Sequence, residues 1–140
     1  MRSNLIITAA LAIIAAMLPG GINAATPDQI QKRHTKAYDY CLNSGDAEQG
    51  VQPAMNACAY DEYTRQDGRL NQAYIMVMKR QKPAAKNKLR LSQRAWIKGR
   101  DATCKEERDQ YEGGSIAPLM FHECMANETI KRTLWLEQYH

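Results

Sequence analysis

Four cysteines, Cys41, Cys58, Cys104 and Cys124, are the tightest constraint on this chain. They fall at intervals of 17, 46 and 20 residues, with no Cys-x-x-Cys pair among them. An even number of cysteines in a small exported chain points to disulfides. A zinc site is the alternative, and the missing short-spaced pair argues against it. Export itself is read from the first residues. Arg2 supplies a minimal positive start, Leu5 to Leu18 is apolar apart from Thr8, and Pro19-Gly20-Gly21 breaks the run before Ile22-Asn23-Ala24. An apolar run of that length falls short of a bilayer span and suits a secretory signal. The expected division is a signal peptide over residues 1–24, cut after Ala24, and a single domain over residues 25–140. No second apolar span follows, so the mature chain is expected to have no membrane span, and no cysteine at the cleavage site offers a lipid attachment point.

The remaining sequence reads as helices. Only Val51 and Val77 represent valine, and no long stretch alternates apolar and polar residues. Thr26-Pro27-Asp28-Gln29 has the form of a capped helix start, with proline at the first helical position and glutamine three after the cap. That helix is expected to run to about Asn43, followed by a polar loop over 44–52. Pro53 opens a second helix to about Gln81, whose apolar positions Ala59, Tyr63, Leu70, Tyr74, Val77 and Met78 recur mostly at three or four residues. Gly68 lies inside it and weakens it locally, by ~1 kcal/mol against alanine. A third helix, about Ala84 to Gln110, carries Ala85, Leu89, Trp96, Arg100 and Cys104 on its inward stripe. Gly113-Gly114-Ser115 forces a turn. A fourth helix begins near Pro118 with Met120, Cys124, Ile130 and Leu134 on one face. The expected fold is all-α, a small antiparallel bundle of about four helices.

Four cysteines allow three pairings. Short loops make consecutive helices antiparallel neighbours. Cys41 and Cys58 then flank the first loop, and Cys104 and Cys124 flank the Gly-Gly-Ser turn, which favours Cys41–Cys58 and Cys104–Cys124.

Charge is uneven. Residues 79–108 hold eleven Lys or Arg against three Asp or Glu, while the segments on either side are net acidic. Lys86, Lys88 and Arg90 lead this basic run and are candidates for an anionic partner, although a charge run is most often a solvated helix face. A nucleic-acid partner is not expected outside the cytoplasm. Catalytic sets are missing. His34, His122 and His140 are scattered, no Gly-x-Ser-x-Gly occurs, and the Gly-Gly-Ser turn lacks the lysine of a phosphate loop. Neither an enzyme nor a cofactor or metal requirement is expected. Asn127-Glu128-Thr129 matches a glycosylation acceptor, but it falls inside a helix and reads as chance.

Two clusters stand out. Asp67-x-x-Leu70-Asn71-x-x-Tyr74 places Asp67, Asn71 and Tyr74 on one helical face. Gln93-x-x-Trp96-x-x-x-Arg100-Asp101-x-x-Cys104 follows on the next helix. Asp67 and Arg100 lie at similar distances from the turn near Pro83, so a carboxylate–guanidinium contact between the two helices is expected. The simplest role for such a network is structural, locking the two helices with Trp96 over it. These motifs, with the bracketing cysteines, Gly114-Ser115, and Thr129 and Arg132 behind Cys124, resemble the LprI-type lysozyme-inhibitor family over about residues 38–136. Gly68, Gly99 and the missing lipid-attachment cysteine depart from the family pattern.

The resemblance implies a secreted or periplasmic, disulfide-bonded helical domain of a bacterium. For the named member it implies binding and inhibition of lysozyme, so the expected partner is a protein, lysozyme or another peptidoglycan hydrolase. The loop from Tyr111 to Pro118, including Gly113, Gly114 and Ser115, is the candidate plug for the enzyme's cleft. Animal lysozymes are typically basic, so contact would have to use the acidic ends of the chain. A non-catalytic envelope or immunity module using the basic third helix is the competing expectation.

Overall fold

A computed structural model describes residues 24–140, and the signal peptide expected over 1–24 lies, apart from Ala24, outside them. Among the described residues there are six helices: α1 (Pro27–Gln31), α2 (Lys36–Leu42), α3 (Gly45–Glu48), α4 (Gln52–Arg80), α5 (Pro83–Asp109) and α6 (Ala117–Glu137). The fold is all-α, as expected, and the cysteines pair Cys41–Cys58 and Cys104–Cys124 with Cα–Cα distances of 5.7 and 5.4 Å.

The three long helices start within one or two residues of the expected boundaries. None has a side-chain cap, and each instead has proline in its first turn: Pro53, Pro83 and Pro118. Proline fixes φ at a helical value and lacks only an N–H that would be unpaired there anyway. α4 runs unbroken through Gly68, where an added Cβ would meet open space.

The N-terminal region differs from the single helix expected to Asn43. Thr26 does form the capping box with Gln29, but α1 stops at Gln31. The backbone breaks so that Thr35 can cap α2, its hydroxyl accepting from the Tyr38 N–H at 3.1 Å. The Thr35 N–H in turn donates to the Glu62 carboxylate at 3.0 Å. A tertiary carboxylate thus takes a donor that a continuous helix would use internally. The expected loop 44–52 contains α3, ended by Gly50 at φ +79°. The N–H of Gly50 bonds the Ala47 carbonyl, and that of Val51 bonds the Asp46 carbonyl, the paired bonds that close a helix on a left-handed glycine.

α6 is the central element. It packs along both α4 and α5. The sequence suggests one inward face for α6, yet its buried residues go round the helix: Cys124, Met125, Ala126, Thr129, Ile130, Arg132, Thr133 and Leu136. The core divides along the bundle. At one end Tyr38, Ala47, Cys58 and Ala59 cluster beneath Leu119; at the other Leu70, Val77, Leu89 and Leu136 cluster beneath Trp96, Trp135 and Tyr139. Both disulfides lie toward the first end, hereafter the stapled end.

Cys41–Cys58 closes a segment of 17 residues and Cys104–Cys124 one of 20. In the chain-entropy description each contributes about 3 kcal/mol. Replacing either pair with alanines is expected to lower the urea-unfolding free energy by about that amount while the helical circular-dichroism signal is retained. Loss of both is expected to leave a chain that melts near or below room temperature.

Candidate functional site

The two sequence clusters meet as expected, and α6 completes them. Arg100 reaches Asp67 across the helices at 3.7 Å and Asp101 at 2.9 Å, and donates to the Thr129 hydroxyl at 3.3 Å. Its guanidinium lies 5.0 Å from the Trp96 ring and 5.7 Å from Tyr63. On the other side of Trp96, Arg132 sits 5.6 Å from that ring and 3.9 Å from Trp135. Arg132 also donates to Gln93 at 2.8 Å and to Ser92 at 2.9 Å. The result is a stack of alternating rings and guanidiniums, Tyr63–Arg100–Trp96–Arg132–Trp135, running through the interface of all three long helices. Both arginines are buried, so the rings and acceptors replace the water they lose. Leu70 lies in the core, Tyr74 is half-buried, and Asn71 donates to Asp67 within α4 at 3.1 Å. This network joins the three long helices. Trp135 and Ser92 were not singled out in the sequence, and Tyr63 was read only as an apolar position of the second helix; the spacing of three from Arg132 to Trp135 is the signal that would have found one of them.

A second polar cluster went unread in the sequence. Glu62 and Gln66 are buried in α4. They occupy inward positions between Ala59 and Leu70 at helical spacing, where apolar residues would be expected. Glu62 accepts from the Thr35 N–H and hydroxyl and from Gln66. His34 sits between this carboxylate and α6, with Nδ1 3.4 Å from Glu62 and Nε2 2.9 Å from the Asn127 amide oxygen. Beside it the Tyr38 hydroxyl donates to Glu123 at 2.7 Å. Burial would raise the Glu62 pKa, but the close His34 ring and the hydrogen bonds from Thr35 and Gln66 outweigh burial and hold it at about 2. The same carboxylate, opposing burial, lifts His34 above the ordinary histidine value. Burial and the Glu123 carboxylate push the Tyr38 hydroxyl up, so it stays a donor. Asn127 is committed to His34 and Thr129 is fully buried, in keeping with the acceptor-like triplet being chance.

The candidate partner residues lie at opposite ends. Tyr111, Gly113, Gly114 and Ser115 form an exposed turn above Cys104–Cys124. Gly113 takes φ +80°, which a side chain would strain. The Ser115 carbonyl is tied to Asn56 of α4 at 3.2 Å, so the turn is held from below and from the side. The same end carries Tyr40 at 76 % and Tyr60 at 53 % exposure, with Val51 and Ile116 also exposed. Burial lowers His122, which packs edge-on to Tyr60 at 5.2 Å and remains uncharged at neutral pH. Residues 39–61 and 106–123, which build this end, contain nine Asp or Glu and one Arg. Lys88 and Arg90 are exposed and Lys86 half-buried near the start of α5, at the far end. Residues 79–90 hold six Lys or Arg and no acid. At 1.5 Å per residue, Asn56 and Arg80 on α4 are about 36 Å apart, so the molecule is strongly polarised in charge along its length. Among the described residues no cluster of His, Cys, Asp or Glu suits a metal ion, and no helix is long and apolar enough to cross a membrane.

These features define a small, doubly cross-linked helical protein with exposed aromatic and acidic groups on its stapled end. Residues 41–136 match the family model described as "Lysozyme inhibitor LprI", and the chain belongs to that family. It is also similar to an uncharacterized protein of Rhizobium meliloti, with 31 % identity over 97 residues, 60 % of this chain and 70 % of that protein. No solved structure matches it. The disulfides and the family mark it as extracytoplasmic.

The His34–Glu62 pair makes stability depend on pH in a defined way. Glu62, lowered from 4.5 to about 2, stabilises the fold above pH 4.5 and loses that contribution as pH falls toward 2. His34, raised above 6.5, contributes fully below that value and loses its contribution as pH climbs through the raised value. Urea midpoints are expected to be highest between about pH 4.5 and 6.5. Glu62→Gln is expected to flatten both limbs and to destabilise the protein by about 3 kcal/mol. Arg132→Lys, which keeps charge but loses the planar stack, is expected to cost roughly 1–2 kcal/mol in the same assay.

Proposed function

We propose that this protein is a non-catalytic inhibitor of a lysozyme-type peptidoglycan hydrolase, working in the periplasm or outside the cell after cleavage near Ala24. The stapled end is its contact surface, and the Gly113–Ser115 tip of the turn that begins at Tyr111 enters the enzyme's cleft. The observation that carries this reading is the coincidence, on one end, of the acidic segments, the exposed tyrosines and both disulfides. A lysozyme cleft holds two carboxylates at its floor, while animal lysozymes are basic outside. A partner needs an uncharged tip to enter and an acidic rim to be attracted. Ser115 and the two glycines supply the first, and Asp46, Glu48, Asp61 and Glu112 supply the second. Steering by such complementary charge raises the association rate. Tyrosine brings large contact area with few rotatable bonds, and cross-linked loops lose little entropy on binding. The densest part of the basic run, residues 79–90 with six Lys or Arg and no acid, sits at the other end.

The test is turbidity clearance of bacterial cell walls by lysozyme in the presence of the purified mature protein. Clearance is expected to slow at micromolar protein, with the effect fading as salt rises. Tyr60→Ala combined with Tyr111→Ala is expected to weaken inhibition at least tenfold, which is about 1.4 kcal/mol. Charge reversal at Lys86, Lys88 and Arg90 is expected to leave it intact. Unslowed clearance at micromolar protein removes the proposal. Inhibition lost only with the reversed charges would move the contact from the stapled end to the basic end of α5.

A further inference from the structure

We propose that the groove between α4 and α6 is a binding site for a small anionic amphiphile, a molecule with a carboxylate or phosphate head and a medium-length acyl body. The groove has a volume of about 460 Å³, within the range of small-molecule sites. Ala73, Val77 and Leu136 give it an apolar floor beside Gln72 and Thr133, with Met76 above, and its rim carries Arg33, Arg69 and Arg80 together with Glu137. Arg69, Ala73, Met76 and Arg80 are spaced four, three and four apart, so they form one stripe on α4 with a guanidinium at each end. The two arginines are about 16 Å apart along the axis, enough for an extended acyl chain to lie over the methionine and alanine between them.

The charges on this rim are unequally matched. Arg33 is ion-paired with Glu137. Arg69 and Arg80 have no carboxylate within 4.0 Å among the described residues. Each spends one N–H on a main-chain carbonyl, that of Arg33 at 3.0 Å and that of Tyr139 at 2.8 Å. Those bonds tether the guanidiniums at the groove without neutralising them, and a guanidinium retains further donors for a bidentate anion. Met76 is 65 % exposed over the floor, a large unbranched side chain that the fold does not bury and that adapts to an irregular apolar partner. An apolar ligand alone would leave the arginines unused. A bare anion would leave the floor wet. A molecule carrying both parts satisfies the groove.

Isothermal titration below the micelle concentration tests this on the mature protein, with dodecanoate, dodecyl phosphate, neutral 1-dodecanol and inorganic phosphate as probes. Dodecanoate or dodecyl phosphate is expected to bind at least tenfold more tightly than either the alcohol or phosphate alone. Whichever head binds better tells a fatty-acid source from a phospholipid one. Arg69→Glu with Arg80→Glu, and separately Met76→Asp, are each expected to weaken binding at least tenfold while leaving the melting temperature within a few degrees, since all three side chains are exposed. Lys88→Glu with Arg90→Glu is expected to change nothing. The proposal is overturned if no amphiphile binds, if inorganic phosphate alone binds as well, or if the groove variants bind like wild type.

Discussion

The position of α6 between α4 and α5 governs this structure. A helix buried on several sides has few positions left for a solvated face, and α6 accordingly buries Thr129, Arg132 and Thr133 beside its apolar residues. Each of these has a partner. Thr133 donates to the Thr129 carbonyl one turn back, the Thr129 hydroxyl accepts from Arg100, and Arg132 is held by Gln93 and Ser92. A domain of this size buries only around two-thirds of its unfolded surface. Leaving any of these three side chains without a partner would cost about 1–3 kcal/mol. The Cys104–Cys124 link then fixes where α6 begins against α5, and the ring–guanidinium stack fixes how far along it lies.

Polar groups this deep contribute little net stability compared with apolar residues of the same size. Their value here is in discriminating between alignments. Three helices lined only with leucine, alanine and methionine could slide by a turn at little loss. With Arg100 required to meet Asp67, Thr129 and two rings at once, a one-turn slip of about 5.4 Å would strand a buried charge. Glu62 does the same for the N-terminal segment. It accepts from both polar groups of Thr35 and faces His34, so residues 33–38 have one place to dock. The helix that the sequence suggests from Pro27 to Asn43 is broken by this demand.

That break marks the limit of what the sequence makes legible. The long helices, their proline starts, the disulfide pairing and the Asp67–Arg100 contact all follow from local rules: spacing, capping and equal distance from a turn. The His34–Glu62–Asn127 cluster joins three segments far apart in sequence, and no local pattern announces it. Its one trace is a glutamate and a glutamine at inward positions of α4, which reads as a weak stripe until the partner is known. The surrounding of α6 on several sides was hidden for a related reason. Its composition is mixed all round, and periodicity detects a helix with one buried face better than one shared between two neighbours.

The separation of charge along the bundle follows from the same architecture. Two hairpin-like turns, 43–51 and 110–116, are brought together at one end because α4 and α6 both begin there, and each turn is acidic. The α4–α5 turn is necessarily at the other end, and it is basic. A chain with a net charge of +4 is therefore poorly described by that total. A basic partner approaching it meets an attractive field at the stapled end and a repulsive one some 36 Å away, which orients the molecule before contact. Screening over about 8 Å at physiological salt keeps the two ends electrostatically independent. An anion held by Arg69 or by Arg80 could be present or absent without altering the field at the stapled end.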